Sequence, residues 1–299
     1  MRLDDFGNDV NVEDQGRGSG GGGFGFPLGG GGIGLGRGGL GCGGIAILLV
    51  VALLFGINPL SLLGGGTGSG GQQSAPVSTD ANTVCRKDAD TLLSCNVLAS
   101  LNRTWPKLID NYKPPELSFY SQNGQSGCGA AQSAMGPFYC PTDSKVYLDT
   151  DFFKELKDRF GASGDFAQGY VIAHEVGHHI QNLLGTSDRV QSQMQGASKV
   201  EGNALSVKLE LQADCYAGVW AANAKNKDGS AVLEPGDVEE GLRAAQAIGD
   251  DTLQKAGQGV VVPESFTHGT SAQRQYWLKR GLESGRPDQC DTFAAGAPA

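Results

Sequence analysis

The sequence predicts a mainly helical α+β chain, in which a small sheet leads into several long helices and one transmembrane helix precedes both. Three observations carry this expectation. Apolar residues recur at helical spacing through most of the chain beyond residue 150, between recognisable start and stop signals. Strand-like sequence is short and lies upstream of that point. A single uncharged apolar run, LGCGGIAILLVVALLFGI, occupies residues 40–57.

Taken in order, the N-terminal quarter is dominated by glycine: 26 of the 48 glycines fall within the first 71 residues, with runs at 20–23 and 29–32. Such a stretch buries too little apolar surface to offset its backbone entropy, so residues 1–39 are expected to be disordered. The glycines have no three-residue period, which excludes collagen. Residues 40–63 are long enough to cross a hydrocarbon core of about 30 Å. About 40 residues precede the run, more than a cleaved signal peptide carries. Arg2, Arg17 and Arg37 stand before it and the next basic residue is Arg86, which predicts an N-terminus in the cytoplasm and the remainder outside. Residues 64–82, GGGTGSGGQQSAPVSTDAN, have the composition of a flexible linker, leaving 83–299 as the folded domain.

The net charge of -9, with no cluster of lysine or arginine, argues against a nucleic-acid partner. Six cysteines follow the linker. Six allow about 15 pairings, among which the short loops favour Cys85–Cys95 and Cys128–Cys140, leaving Cys215–Cys290. No CxxC spacing points to thiolate-bound zinc, and disulfides fit an exported domain.

Ser144 to Leu148 reads as a strand. Helices are expected over 151–160, stopped by Gly161; over 166–184, capped by Asp165 and stopped by Gly185; over 199–224; over 237–248; and over 270–283, where Thr270 and Gln273 form a capping box before Gly285. The second of these contains His174-Glu175-Val176-Gly177-His178. Residues four apart share a helical face, so both imidazoles can reach one zinc ion while Glu175, to one side, can hold a water and take its proton. His179 is rotated about 100° from His178 and is expected to pack rather than ligate. A catalytic zinc needs a third protein ligand. No histidine stands where an HExxHxxGxxH pattern requires one. Glu210 on the next long helix is the candidate ligand, with Glu201 as the fallback, and Asp214, one turn on from Glu210, can fix the tautomer of a ligating histidine.

Three stretches, HEVGHH, LELQADCYAGVW and FTHGTSAQRQYWLKRG, together with Asn11-Val12-Glu13-Asp14, resemble the neutral zinc metallopeptidase family of bacteria. The HExxH with a later ExxxD is similar to the wider gluzincin group. The resemblance implies a zincin-like fold with two active-site helices and a small sheet. It implies one Zn2+ per chain on His174, His178 and Glu210, Glu175 as general base and Asp214 as histidine orienter. It also suggests His268 as a catalytic electrophile and Arg274 as its supporting residue or a partner of Asp214. The expected function is a zinc-dependent endopeptidase of peptides or proteins, anchored through 40–63 in the bacterial cytoplasmic membrane with its catalytic domain outside. Two rivals are a catalytically inactive zinc-binding module and a zinc amidase of cell-wall peptides.

Overall fold

The computed structural model describes residues 1–17, 77–132, 136–161 and 164–298. Its first element is the strand β1 (Asn11–Arg17), within the segment expected to be disordered. That expectation is corrected for residues 1–17. Apolar side chains explain why: Phe6 and Val12 are buried in the main core, and Met1 donates its ammonium to Asp165 at 2.7 Å and Asp237 at 3.0 Å. After residue 77 come α1 (Ala81–Cys85) and α2 (Ala89–Thr104), the latter begun by a capping box between Asp88 and Thr91. The strands β2 (Glu116–Ser121), β3 (Asn123–Ser126), β4 (Gly129–Gln132), β5 (Phe138–Cys140) and β6 (Lys145–Asp149) follow.

β1 and β6 pair with the two edges of β2, both parallel to it. β5 adds beyond β6 in the antiparallel sense, and the β3–β4 hairpin continues from the end of β2. An isolated antiparallel bridge joins Asp14 to Ser78, with the Asp14 amide donating to the Ser78 carbonyl at 2.8 Å. Residues 1–17 and 77–298 therefore share one sheet and one core. A membrane crossed once by residues 40–63 would hold β1 and β2 on opposite sides, so the expected topology, N-terminus inside and domain outside, is incompatible with this pairing. Residues 40–63 themselves lie outside the described residues, as does most of the proposed linker. Among the described residues no helix is long and apolar enough to cross a membrane.

The remaining helices are α3 (Phe152–Phe160), α4 (Asp165–Leu183), α5 (Thr186–Met194), α6 (Lys199–Asn223), α7 (Asp237–Ala247), α8 (Asp250–Gln258) and α9 (Ser271–Ser284). Their bounds follow the stop signals: Gly161 and Gly285 both close helices in the left-handed conformation. Thr270 and Gln273 form the expected capping box. Asp165 differs from expectation. Gly164 is the N-cap of α4, and Asp165 sits in the first turn, where its carboxylate meets the Met1 ammonium instead.

α6 runs between α4 and α9 at the centre of the domain, and α4 also packs on α2 and α7. Trp105 and Trp220 are fully buried, and the Trp220 indole donates to Ser100 at 3.2 Å. Burial of each such side chain contributes about 1.5–3 kcal/mol. Glycines set the close helix contacts, among them Gly177, Gly218 and Gly281. A Cβ at Gly177 would come within 2.9 Å of the Ala213 backbone, and one at Gly281 would collide with the Cys215 carbonyl. Among the described residues Cys85–Cys95 and Cys128–Cys140 form as their short loops favoured, and Cys215–Cys290 forms as the remaining pair.

β1 is also tied to the sheet by charge. Lys145 donates to Glu13 at 2.8 Å, and Ser118 donates to the other oxygen of that carboxylate at 2.7 Å. Burial opposes the charge of Glu13, but Lys145, Ser118 and Gln15 outweigh it and hold the carboxyl below its ordinary value. The sign follows directly: the stabilisation is complete above the unfolded value of 4.5 and fades as pH falls through the lower folded one. Glu13→Gln should therefore cost about 1–2 kcal/mol at pH 7, with the gap from the parent chain closing below pH 4.5. Urea unfolding of both proteins across pH checks this.

Candidate metal centre

The facing sides of α4 and α6 carry the site. His174 and His178 stand one turn apart on α4, and Glu210 reaches them from α6. His174 Nε2 lies 3.1 Å from Glu210 Oε2, and His178 Nε2 lies 3.5 Å from Glu210 Oε1. One ligand atom from each of the three residues falls within 4.8 Å of the others. A tetrahedral zinc with ligands at about 2.0–2.1 Å separates its donors by about 3.3 Å, which these spacings match.

The outer sides of the rings decide what the inner sides present. His174 Nδ1 bonds Asp214 at 2.7 Å, and His178 Nδ1 bonds the Gln181 side-chain oxygen at 2.9 Å. Both partners accept, so each neutral ring carries its proton on Nδ1 and turns an Nε2 lone pair toward Glu210. Glu210 faces both Nε2 atoms at a buried place, so either a proton on His174, which hydrogen-bonds Glu210 at 3.1 Å, or a cation in its stead must lie among them. Burial opposes charging of His174, yet Asp214 and Glu210 raise its pKa to about 10. Against the effect of burial, the nearby histidines hold Glu210 well below the usual carboxylate range. Two imidazoles and one carboxylate form a donor set that suits zinc.

Asp214 is fully buried and accepts four hydrogen bonds from three side chains. Besides His174 these come from Tyr170 at 2.6 Å, and from Nε and Nη2 of Arg274, both at 2.9 Å. Arg274 thus pairs with Asp214, one of the two roles the sequence suggests. It donates in addition to the Tyr170 oxygen at 3.2 Å and the Ile248 carbonyl at 3.3 Å.

Glu175 is buried beside the cluster and makes no side-chain hydrogen bond or ion pair among the described residues. Burial pushes its pKa up, against the pull of His174 and His178. His268 approaches from the loop before α9. Its Nδ1 bonds Asp250 Oδ1 at 3.2 Å, while Asp250 Oδ2 accepts the backbone N–H groups of Thr267, His268 and Gly269 at 2.8, 2.7 and 3.1 Å. Burial opposes the His268 cation, but Glu210 and Asp250 outweigh it and raise its pKa.

The structure therefore brings His174, Glu175, His178, Glu210, Asp214, His268 and Arg274 into one neighbourhood. His179 packs as expected, with its Nδ1 at 3.0 Å from the Tyr139 hydroxyl and Nε2 at 2.6 Å from the Lys113 carbonyl. Glu201, the fallback ligand, is exposed and caps α6 with Ser198. A second acidic group, Asp165, Asp237 and Glu240, surrounds the Met1 ammonium, which meets the first two. Tyr170 and Asp250 were missed from sequence. Tyr170 had a signal, since it stands one turn before His174 on the same face. Asp250 had none, because its partners lie 17 to 19 residues further along the chain.

The family model described as "Putative neutral zinc metallopeptidase" matches residues 1–293, and the chain belongs to this family. Among its relatives, the uncharacterized protein YpfJ of Escherichia coli K12 is 50% identical over 256 residues, covering 84% of this chain and 86% of that protein. The uncharacterized protein Rv2575 of Mycobacterium tuberculosis H37Rv is 46% identical over 219 residues, covering 70% of this chain and 73% of that protein. No solved structure matches the chain.

Removing Arg274 would leave the Asp214 charge buried and unpaired. Arg274→Met is expected to lower stability by about 3–5 kcal/mol, read by denaturant unfolding.

Proposed function

We propose that the chain is a zinc-dependent endopeptidase acting on peptides or proteins, with one Zn2+ held by His174, His178 and Glu210. The convergence of His174, His178 and Glu210 beside an unpaired buried glutamate carries this reading. When bound, zinc supplies Lewis acidity, making water more acidic and a peptide carbonyl more electrophilic. The residues of the chain do the rest. Glu175 takes the proton of the attacking water, and burial, which raises its affinity for that proton, suits it to deliver the proton to the leaving amine. Asp214 keeps the His174 proton on Nδ1, so that Nε2 remains a ligand. His268, biased toward its cation and turned by Asp250, offers its Nε2–H to the negative charge that develops on the carbonyl oxygen.

Three disulfides favour an oxidising compartment for the folded body, outside the bacterial cytoplasm. Because residues 1–17 belong to that body, we place them in the same compartment as residues 77–298.

Glu175→Gln should retain zinc by elemental analysis while cleavage of an unfolded protein substrate falls about 10²–10⁴-fold. Undiminished turnover in that variant would refute the mechanism. His174→Ala should lose the metal itself. His268→Ala is expected to reduce kcat by about 10²–10³-fold with little change in bound zinc, and Asp250→Asn to fall between it and the parent chain. Equal kcat in all three proteins would remove His268 from the reaction.

A further inference from the structure

Resting on the zinc reading above, we propose that Gln181 and Gln212 are positioning residues for His178, and that the disulfide-held C-terminal tail anchors them. The buried side chains form a line that leads away from the cluster. His178 Nδ1 meets Gln181 Oε1 at 2.9 Å. Gln181 Nε2 donates to the Leu209 carbonyl at 2.7 Å and to Gln212 Oε1 at 3.1 Å. Gln212 Nε2 in turn donates to the Cys290 carbonyl at 2.9 Å. Gln181 and Gln212 are 1% and 6% exposed, so water does not compete strongly for these groups.

The direction of every bond in this line is imposed from its far end. The carbonyls of Leu209 and Cys290 can only accept, so each glutamine must turn its NH₂ toward a carbonyl and its oxygen toward the metal side. Gln181 then presents an oxygen to the imidazole, and His178 must donate from Nδ1. Its Nε2 is left with the lone pair that a metal needs. The two ligating histidines are therefore oriented by different chemistry, His174 by a carboxylate and His178 by a neutral amide.

The line ends on the tail. Cys290 is completely buried and is joined to Cys215, three residues beyond Gln212 on α6. Thr292 adds a hydrogen bond to the Lys208 carbonyl at 2.6 Å. The covalent clasp thus holds against α6 the carbonyl that orients Gln212.

The test is zinc affinity of the full-length protein, measured by competition with a chromophoric chelator, with circular dichroism as the check on folding. Gln181→Leu should weaken zinc binding about 10–100-fold without loss of helix. Gln212→Leu should weaken it less, since Gln181 keeps the Leu209 carbonyl. The double variant should bind no more weakly than Gln181→Leu alone, because the two residues act in series. The pair Cys215→Ala and Cys290→Ala should weaken binding several-fold, whereas Cys85→Ala with Cys95→Ala, which removes a disulfide outside the line, should not. Parental affinity in Gln181→Leu, beside a zinc-loaded parent chain, would overturn the relay alone. A parent chain that binds no zinc would refute the peptidase reading and the relay with it. Strictly additive losses in the double variant would overturn the serial arrangement.

Discussion

The carboxylate of Asp214 receives His174 and Tyr170 from α4 and two N–H groups of Arg274 from α9, while belonging itself to α6. Three helices thus meet at one buried charge. Such a charge tolerates removal from water only when its lone pairs are all used, and a buried ion pair stripped of one member leaves a penalty of several kcal/mol. The same carboxylate sets the proton of His174, a proposed metal ligand. Helix packing and metal chemistry are consequently one interaction, and a shift of α9 against α6 would disturb both. The glycine contacts at Gly177 and Gly281 allow the backbones to approach closely enough for these short side chains to meet.

Around that fixed centre, two titratable groups are both biased toward holding a proton, one by burial and the other by neighbouring charge. Glu175 has only burial as a dominant influence and is biased toward holding a proton. The charges of Glu210 and Asp250 raise the pKa of His268 despite burial. A base that can also return its proton, beside a group biased toward its cation, is a pairing suited to splitting an amide.

Much of this was legible from local pattern. The helices containing HEVGHH and ELQAD are α4 and α6 within a residue or so of their expected ends, because glycine stops and capping boxes act locally. Glu210 and Asp214 were legible as a pair because four-residue spacing on a helix defines a face. The missed features all depend on distant parts of the chain. β1 looked like the start of a disordered region because its neighbours in sequence are glycine, whereas its neighbours in space are β2 and Phe6's core partners. Residues 89–104 contain buried polar Ser94 and Ser100, which blur the apolar periodicity of α2. Asp250 and Gln181 belong to none of the quoted stretches, Gln212 lies in ELQAD without a role the pattern assigns, and only the folded arrangement reveals what they orient.

The bridge between Asp14 and Ser78 has a consequence for handling the protein. The chain leaves the sheet and re-enters it at adjacent backbone positions, so everything between forms an insertion with neighbouring ends. Replacing that insertion by a short turn would preserve each partner of the candidate metal cluster. The compact remainder, freed of its glycine-rich and oily portion, is the natural object for crystallisation. It would also let the chemistry of the site be studied separately from whatever surface the insertion engages.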